Sequence, residues 1–308
     1  MARKIDRPSR NGDGKTELVL GGGGIKGFGL IGGLKALEEK KVDLGTITGI
    51  SIGSVVAAFY VNGYTPGQIQ RIFLTELMGL DPDSLKRTMR LPTILRLWHG
   101  GFIDLGGLFR EIVEKYELKP KRNLRILAYN VLQRKPVVFE GTDYDLARAI
   151  TASCSIPGIM RPVWHGQGGI IGTWLTLVGS LLGFTSEGIL VDGGVHHPNP
   201  GEFCQGRAII LKLGFASRLP DELLSPIDLG FHLLEMFWSV ALDWHFQDPS
   251  EHILIKAGLP DVACLSFGLS PEKCQAMVDF GYNQTARAID RAIARGAVPV
   301  KKPRGDQK

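Results

Sequence analysis

A serine with glycine on either side at equal offset, Gly49-Ile50-Ser51-Ile52-Gly53, is the arrangement that sets a hydroxyl on a sharp turn between a strand and a helix. Only small neighbours let the backbone close up there. A serine so placed is exposed at the edge of a sheet, and the helix after it turns its positive end towards the attacking oxygen. Taken alone, the pattern is equally that of a tight turn opening a helix. Two further elements bear on the choice. The run Gly21-Gly22-Gly23-Gly24-Ile25-Lys26-Gly27 can aim several backbone N–H groups at one point, as the negative oxygen of a tetrahedral intermediate requires, and Lys26 adds positive charge nearby. The same run could cradle a phosphate or serve close packing. It is not a Walker A loop, because the G-x-x-x-x-G-K-[ST] spacing fails, and no acidic residue clearly sits at the expected ribose position of a dinucleotide fold. The third element, Leu190-Val191-Asp192-Gly193-Gly194, is an apolar strand ending in a carboxylate at a glycine turn. Within reach of Ser51, Asp192 would accept the hydroxyl proton and return it to the leaving group; out of reach it is an ordinary turn former.

Such groups need a scaffold. With 44% hydrophobic and 22% charged residues, a chain of 308 residues buries a full core, and no linker divides it. Glu17 to Leu20 reads as a strand running into the glycine cluster, followed by a helix through Phe28, Leu30, Ile31, Leu34 and Leu37 to about Lys40. Thr46 to Ile50 then reads as a strand, with a turn at Ser51 and a helix from Val55 to Val61. Later strands are predicted at Leu124 to Asn130, Pro136 to Glu140, Gly188 to Asp192 and Ala208 to Leu213. Strands alternating with helices predict an α/β fold with a mostly parallel sheet covered on both faces. The expected organisation is a basic tail over 1–15, a catalytic domain over 16–296 and a basic tail over 297–308.

The three elements in this order resemble the patatin-like phospholipase family, the resemblance being carried by Gly22-Gly23-Gly24-Ile25-Lys26-Gly27, Gly49-Ile50-Ser51-Ile52-Gly53 and Asp192-Gly193-Gly194. Thr151 to Gly158 is similar to the family's small-residue segment, and Asn199-Pro200 follows the aspartate as in relatives. The resemblance implies a three-layer α/β/α fold and a Ser51–Asp192 dyad. It also implies oxyanion donors at Gly22, Gly23 and Gly24, and supporting roles for Lys26, Gly49, Gly53, Gly193 and Gly194. The implied substrate is a phospholipid or other acyl-ester lipid, cleaved without metal or cofactor. His196 and His197, just beyond Asp192, are not required by it, and adjacent side chains on a turn diverge too far to act together.

One departure is a long stretch without formal charge between Arg161 and Glu187, read as an apolar insertion near 164–188. Ile170, Ile171, Trp174, Leu175, Val178, Leu181 and Leu182 recur there at helical spacing. A helix from Ile170 to Phe184 would rise only about 22 Å, against about 30 Å of bilayer hydrocarbon. The insertion therefore reads as a packed helix or an interfacial element rather than a membrane span. Lys86 to Trp98 mixes basic heads with apolar bulk, and Phe231 to Trp244 reads as core or acyl-pocket lining.

The formal charge of +5 is concentrated at the ends, where Arg3, Lys4, Arg7, Arg10 and Lys15 outweigh Asp6 and Asp13, and Lys301, Lys302, Arg304 and Lys308 outweigh Asp306. A near-neutral body with basic tails argues against a nucleic-acid groove and fits weak attraction to an anionic membrane surface. Cys154, Cys204, Cys264 and Cys274 show no paired spacing and read as free thiols of a reducing, cytoplasmic compartment. No Sec-type signal peptide is evident, and export by another route stays open. Two rival functions remain: a catalytically silent lipid-binding scaffold, against which the retained Ser51 and Asp192 count, and nucleotide binding by the glycine loop.

Overall fold

The structure, a computed structural model, describes residues 15–77, 103–157, 159–164, 188–195, 200–204, 206–213, 252–262 and 269–300. Among these residues eight strands form a single sheet. They are β1 (Thr16–Leu20), β2 (Leu44–Ile50), β3 (Leu124–Asn130), β4 (Lys135–Phe139), β5 (Val163–Trp164), β6 (Ile189–Asp192), β7 (Ala208–Lys212) and β8 (Ile253–Lys256). The order is β5-β6-β3-β2-β1-β7-β8, with β4 also paired to β3. β1, β2, β3, β7 and β8 run parallel to one another, whereas β4 and β6 run antiparallel to β3, and β5 antiparallel to β6. The sheet is mixed and mostly parallel.

Six α-helices lie among the described residues: α1 (Gly27–Glu39), α2 (Ile52–Val61), α3 (Pro66–Ile72), α4 (Gly106–Lys115), α5 (Leu146–Cys154) and α6 (Pro271–Ala294). Period-two alternation sorts the strand residues between two faces. Leu18, Leu20, Ile126, Ile209 and Leu211 join the main core, to which every one of these helices contributes. Val19, Ile50, Leu127, Ala208 and Ile210 form a second cluster on the other face, packed with Phe203 and Leu254. The connection that leads from β7 towards β8, residues 214–251, lies outside the described residues. So do Lys86 to Trp98, Phe231 to Trp244, residues 165–187 of the expected insertion, and residues 1–14 and 301–308 of the two tails.

The sequence-predicted strands and the first two helices fall within a few residues of the observed ones. Three of the helices beyond α2 start on capping chemistry: Thr65 and Gln68 form a reciprocal capping box at α3, while Asp145 and Ser270 cap α5 and α6. The first residues of the segment read as a C-terminal tail pack on the body, where Val298 is buried and Val300 bridges Val42. No helix among the described residues is long and apolar enough to cross a membrane.

Helices α1 and α6 cross at glycines. A β-carbon at Gly32 would collide with the carbonyl of Val278, and one at Gly281 with the carbonyl of Gly29. Overpacking of this kind costs about 1–3 kcal/mol. Gly32→Ala is therefore expected to lower unfolding free energy by that amount in urea titration. Gly67→Ala, where an added β-carbon meets nothing within 4 Å, is expected to be neutral or stabilising by about 0.5 kcal/mol.

Candidate active site

One edge of β3 receives two strands in succession. β2 runs parallel to β3 and ends with Ile50 opposite Leu127. β6 runs antiparallel to β3 and ends with Asp192 opposite Ala128, the next position. The other edge at both positions is taken by Val138 and Val137 of β4. The C-terminal ends of β2 and β6 thus point at each other, and the residue after Ile50 meets Asp192. The Ser51 side chain lies close enough to the Asp192 carboxylate for its hydroxyl to favour the ionised form.

Ser51 has φ 53° and ψ −130°, a left-handed backbone in which a side chain is strained by about 1–3 kcal/mol. Three contacts hold it. Its N–H donates to Ser153 Oγ at 2.9 Å, and Ser153 Oγ donates in turn to the Leu127 carbonyl at 2.6 Å. The Ser51 carbonyl accepts from the Ser54 N–H at 2.8 Å and from Ser54 Oγ at 2.6 Å. The flanking glycines are sterically required: a β-carbon at Gly53 would strike the Leu20 carbonyl, and one at Gly49 would come within 2.6 Å of the Gly53 carbonyl. The G-x-S-x-G spacing therefore lets α2 start directly against the end of β1.

Asp192 is 5% exposed and Ser51 7%. Burial disfavours the carboxylate and pushes its pKa from the ordinary 3.8 up to about 6, against the opposing hydrogen bonds from Ser51 and the Gly194 N–H. The Gly194 N–H donates to Asp192 Oδ1 at 2.8 Å. Gly193 packs so tightly that a β-carbon would stand 2.6 Å from the Leu127 carbonyl. Cys154 lies beside the pair, and its thiol is held well above the usual range by burial and by the neighbouring Asp192 charge.

The glycine loop lies against the serine. A β-carbon at Gly22 would be 3.0 Å from Ser51 Cβ. Gly23 and Gly24 take φ of 154° and 54°, open to glycine at little cost, and turn the chain into α1. The Gly21 N–H donates to the Leu211 carbonyl at 3.0 Å and continues the sheet, so the loop proper starts at Gly22. Lys26 is fully buried at the N-cap of α1, its backbone N–H donating to the Gly23 carbonyl at 3.2 Å.

The family model for patatin-like phospholipases matches residues 18–202, a span that holds the glycine loop, Ser51 and Asp192. The chain belongs to the patatin-like phospholipase family. An uncharacterised protein of Bacillus subtilis, YqhO, is 26% identical over 298 residues, 87% of this chain and 95% of that protein. A probable lipid hydrolase of Invertebrate iridescent virus 6, 463L, is 30% identical over 51% of this chain and 59% of that protein. Among solved structures, VipD from Legionella pneumophila is similar at TM-score 0.49 and 15% identity, over 94% of this chain and 71% of that one. Family membership makes lipid hydrolysis the general class of activity.

In this patatin-like chain Ser51 opens onto an apolar cavity. Ile25, Ile52, Phe73, Phe109, Ile156 and Met160 are among the residues lining it, with Gly24 and Cys154 beside the serine. The sequence-predicted Ser51, Asp192, Gly22, Gly23, Gly24, Gly49, Gly53, Gly193 and Gly194 come together. His196 and His197 lie outside the described residues. Sequence reasoning assigned no role to Ser153, although it sits in the small-residue segment Thr151 to Gly158. The three described cysteines, Cys154, Cys204 and Cys274, are free thiols. The described residues contain no cluster of three or more His, Cys, Asp or Glu that could hold a metal ion.

Two stability measurements follow. Ser51→Gly and Ser51→Ala both remove the hydroxyl, and only glycine relieves the backbone strain, so Ser51→Gly is expected to be more stable by about 1 kcal/mol. Because the Asp192 pKa is raised on folding, the folded state holds the proton more tightly than the unfolded state. The group's stabilisation is present at low pH and lost as pH rises from about 4 to about 6. Asp192→Asn lacks this loss, and its stability relative to wild type is expected to grow by about 3 kcal/mol between about pH 4 and pH 8.

Proposed function

We propose that the chain is a serine acyl hydrolase of phospholipase A type, with Ser51 as nucleophile and Asp192 as its base. The observation that carries this reading is the Ser51 hydroxyl set beside a buried carboxylate in the wall of an apolar cavity. Ser51 Oγ attacks the ester carbonyl as its proton passes to Asp192, and the carbonyl carbon becomes tetrahedral. Among the described residues the N–H groups of Gly22, Gly23 and Gly24 have no protein partner, and they supply the donors for the negative oxygen. The intermediate collapses, the ester C–O bond breaks, and Asp192 returns the proton to the departing lysolipid or alcohol. Water, deprotonated by Asp192, then attacks the acyl-Ser51 ester and releases the fatty acid. Burial keeps competing water scarce at both groups and strengthens each of these contacts.

The acyl chain belongs at the cavity lined by Phe73, Phe109, Ile156 and Met160, whose apolar walls suit an apolar substituent and offer nothing to a polar one. A nearly buried serine cannot reach a lipid held in the bilayer, so the lipid comes to it and the enzyme works at the membrane surface as a peripheral protein.

With phospholipid vesicles and mass-spectrometric product analysis, wild type is expected to release free fatty acid and lysolipid, while Ser51→Ala and Asp192→Asn are reduced by about a thousandfold or more. The base works ionised, so kcat/KM is expected to rise with pH through about 6 and level off above it. Equal release by the folded Ser51→Ala chain would refute the dyad. Wild type inert towards both vesicles and small activated esters would leave a silent lipid-binding scaffold.

A further inference from the structure

A second cavity of about 460 Å³ is lined by Asp104, Arg110, Arg148, Thr151, Arg161 and Trp164, together with Gly106 and Gly107. Its size falls within the range of small-molecule sites, about 300–1,000 Å³. It shares its framework with the acyl cavity. In the segment 103–110, Ile103, Leu105, Leu108 and Phe109 line the acyl cavity, whereas Asp104 and Arg110 line the second one. In the chain after α5, Ile156 and Met160 face the first and Arg161 the second.

Three guanidinium groups converge on this cleft from three separate segments. Arg110 Nη2 donates to Asp145 Oδ2 at 3.0 Å, Arg161 Nη1 to Asp104 Oδ2 at 2.9 Å, and Arg148 Nη2 to the Trp164 carbonyl at 2.7 Å. Each contact occupies one of the five N–H donors that a guanidinium carries. Both ion pairs are solvated, with Arg110 58% and Arg161 38% exposed, so neither pair is strong enough to hold its arginine from a better acceptor. Three arginines against two carboxylates leave the cleft net positive, in a body whose sequence is otherwise near neutral. No lysine lines the cleft. Planar forks from several directions suit a tetrahedral oxyanion, whose oxygens can each accept from a different arginine, better than a carboxylate, which one fork saturates.

We propose that this cleft binds a phosphate group, carried by a lipid headgroup or by a soluble phosphate ester. Occupancy would tie together the segments that also wall the acyl cavity. The proposal stands independently of the Ser51–Asp192 chemistry.

The test uses the full chain carrying Ser51→Ala, so that no substrate is turned over. Binding is measured to phosphatidylcholine vesicles with and without phosphatidic acid, and to glycerol 3-phosphate in solution. Gly107→Asp and Arg110→Gln are then compared in the same background. At Gly107 an added β-carbon meets nothing within 4 Å, and an aspartate in the first turn suits the helix, so this variant places a negative charge in the cleft without disturbing the fold. Each substitution is expected to weaken binding by about tenfold or more. Binding confined to phosphatidic acid vesicles makes the source a lipid headgroup; binding of glycerol 3-phosphate makes it a soluble ester. Absence of binding in both arms, or binding that neither substitution weakens, would overturn the proposal.

Discussion

Because β2 runs with β3 and β6 runs against it along one edge, their last residues occupy neighbouring positions on the same strand, Leu127 and Ala128. No loop has to find its partner. The hydroxyl and the carboxylate meet because two strands end head to head, each fixed by backbone hydrogen bonds to a buried strand. Ser153 ties the arrangement together from behind, joining the Ser51 N–H to the carbonyl of that same Leu127. The register of β3 therefore sets the geometry of the site. A slip of one residue would turn each side chain to the opposite face of the sheet.

Both members of the pair are held in states they would not choose. Ser51 takes a backbone conformation that favours glycine, and Asp192 is ionised at neutral pH against the cost of burial. Such states persist only where the surroundings over-determine them. Here the glycines at 49, 53 and 193 let backbone pass against backbone, and the buried faces of α1, α2 and α5 close over the sheet. The strain and the raised pKa are features a nucleophile and a base can use. A carboxylate with a pKa near 6 is a stronger base than an exposed one.

Much of this was legible in the sequence because local rules and tertiary demands agreed. The strands at Leu124 to Asn130 and Ala208 to Leu213 are apolar runs bounded by polar or glycine residues, and the glycine patterns around Ser51 and Asp192 are steric necessities that leave a mark in the chain. The antiparallel entry of β6 was not legible, since pairing partners leave no trace in a four-residue strand. Nor was the cavity. Phe73, Phe109 and Met160 lie on separate segments, and each reads locally as an ordinary core residue. Ser153 looks like any small helical residue until its register against β3 is known.

Moving an acyl chain from bilayer to an apolar cavity exchanges one apolar environment for another, so the hydrophobic effect, which drives transfer out of water, supplies little of the free energy of extraction. An enzyme that must lift a lipid towards a nearly buried serine gains its net affinity at the polar end of the molecule, or from contacts that hold the protein against the surface. A cavity with apolar walls can distinguish one chain from another by about 1–3 kcal/mol per methylene, yet says nothing about the headgroup. Charged groups set on the same structural segments as the acyl cavity, as Arg110 and Arg161 are, are placed to add what the apolar wall lacks. The segments 103–110 and 156–161 give apolar residues to one cavity and charged residues to the other.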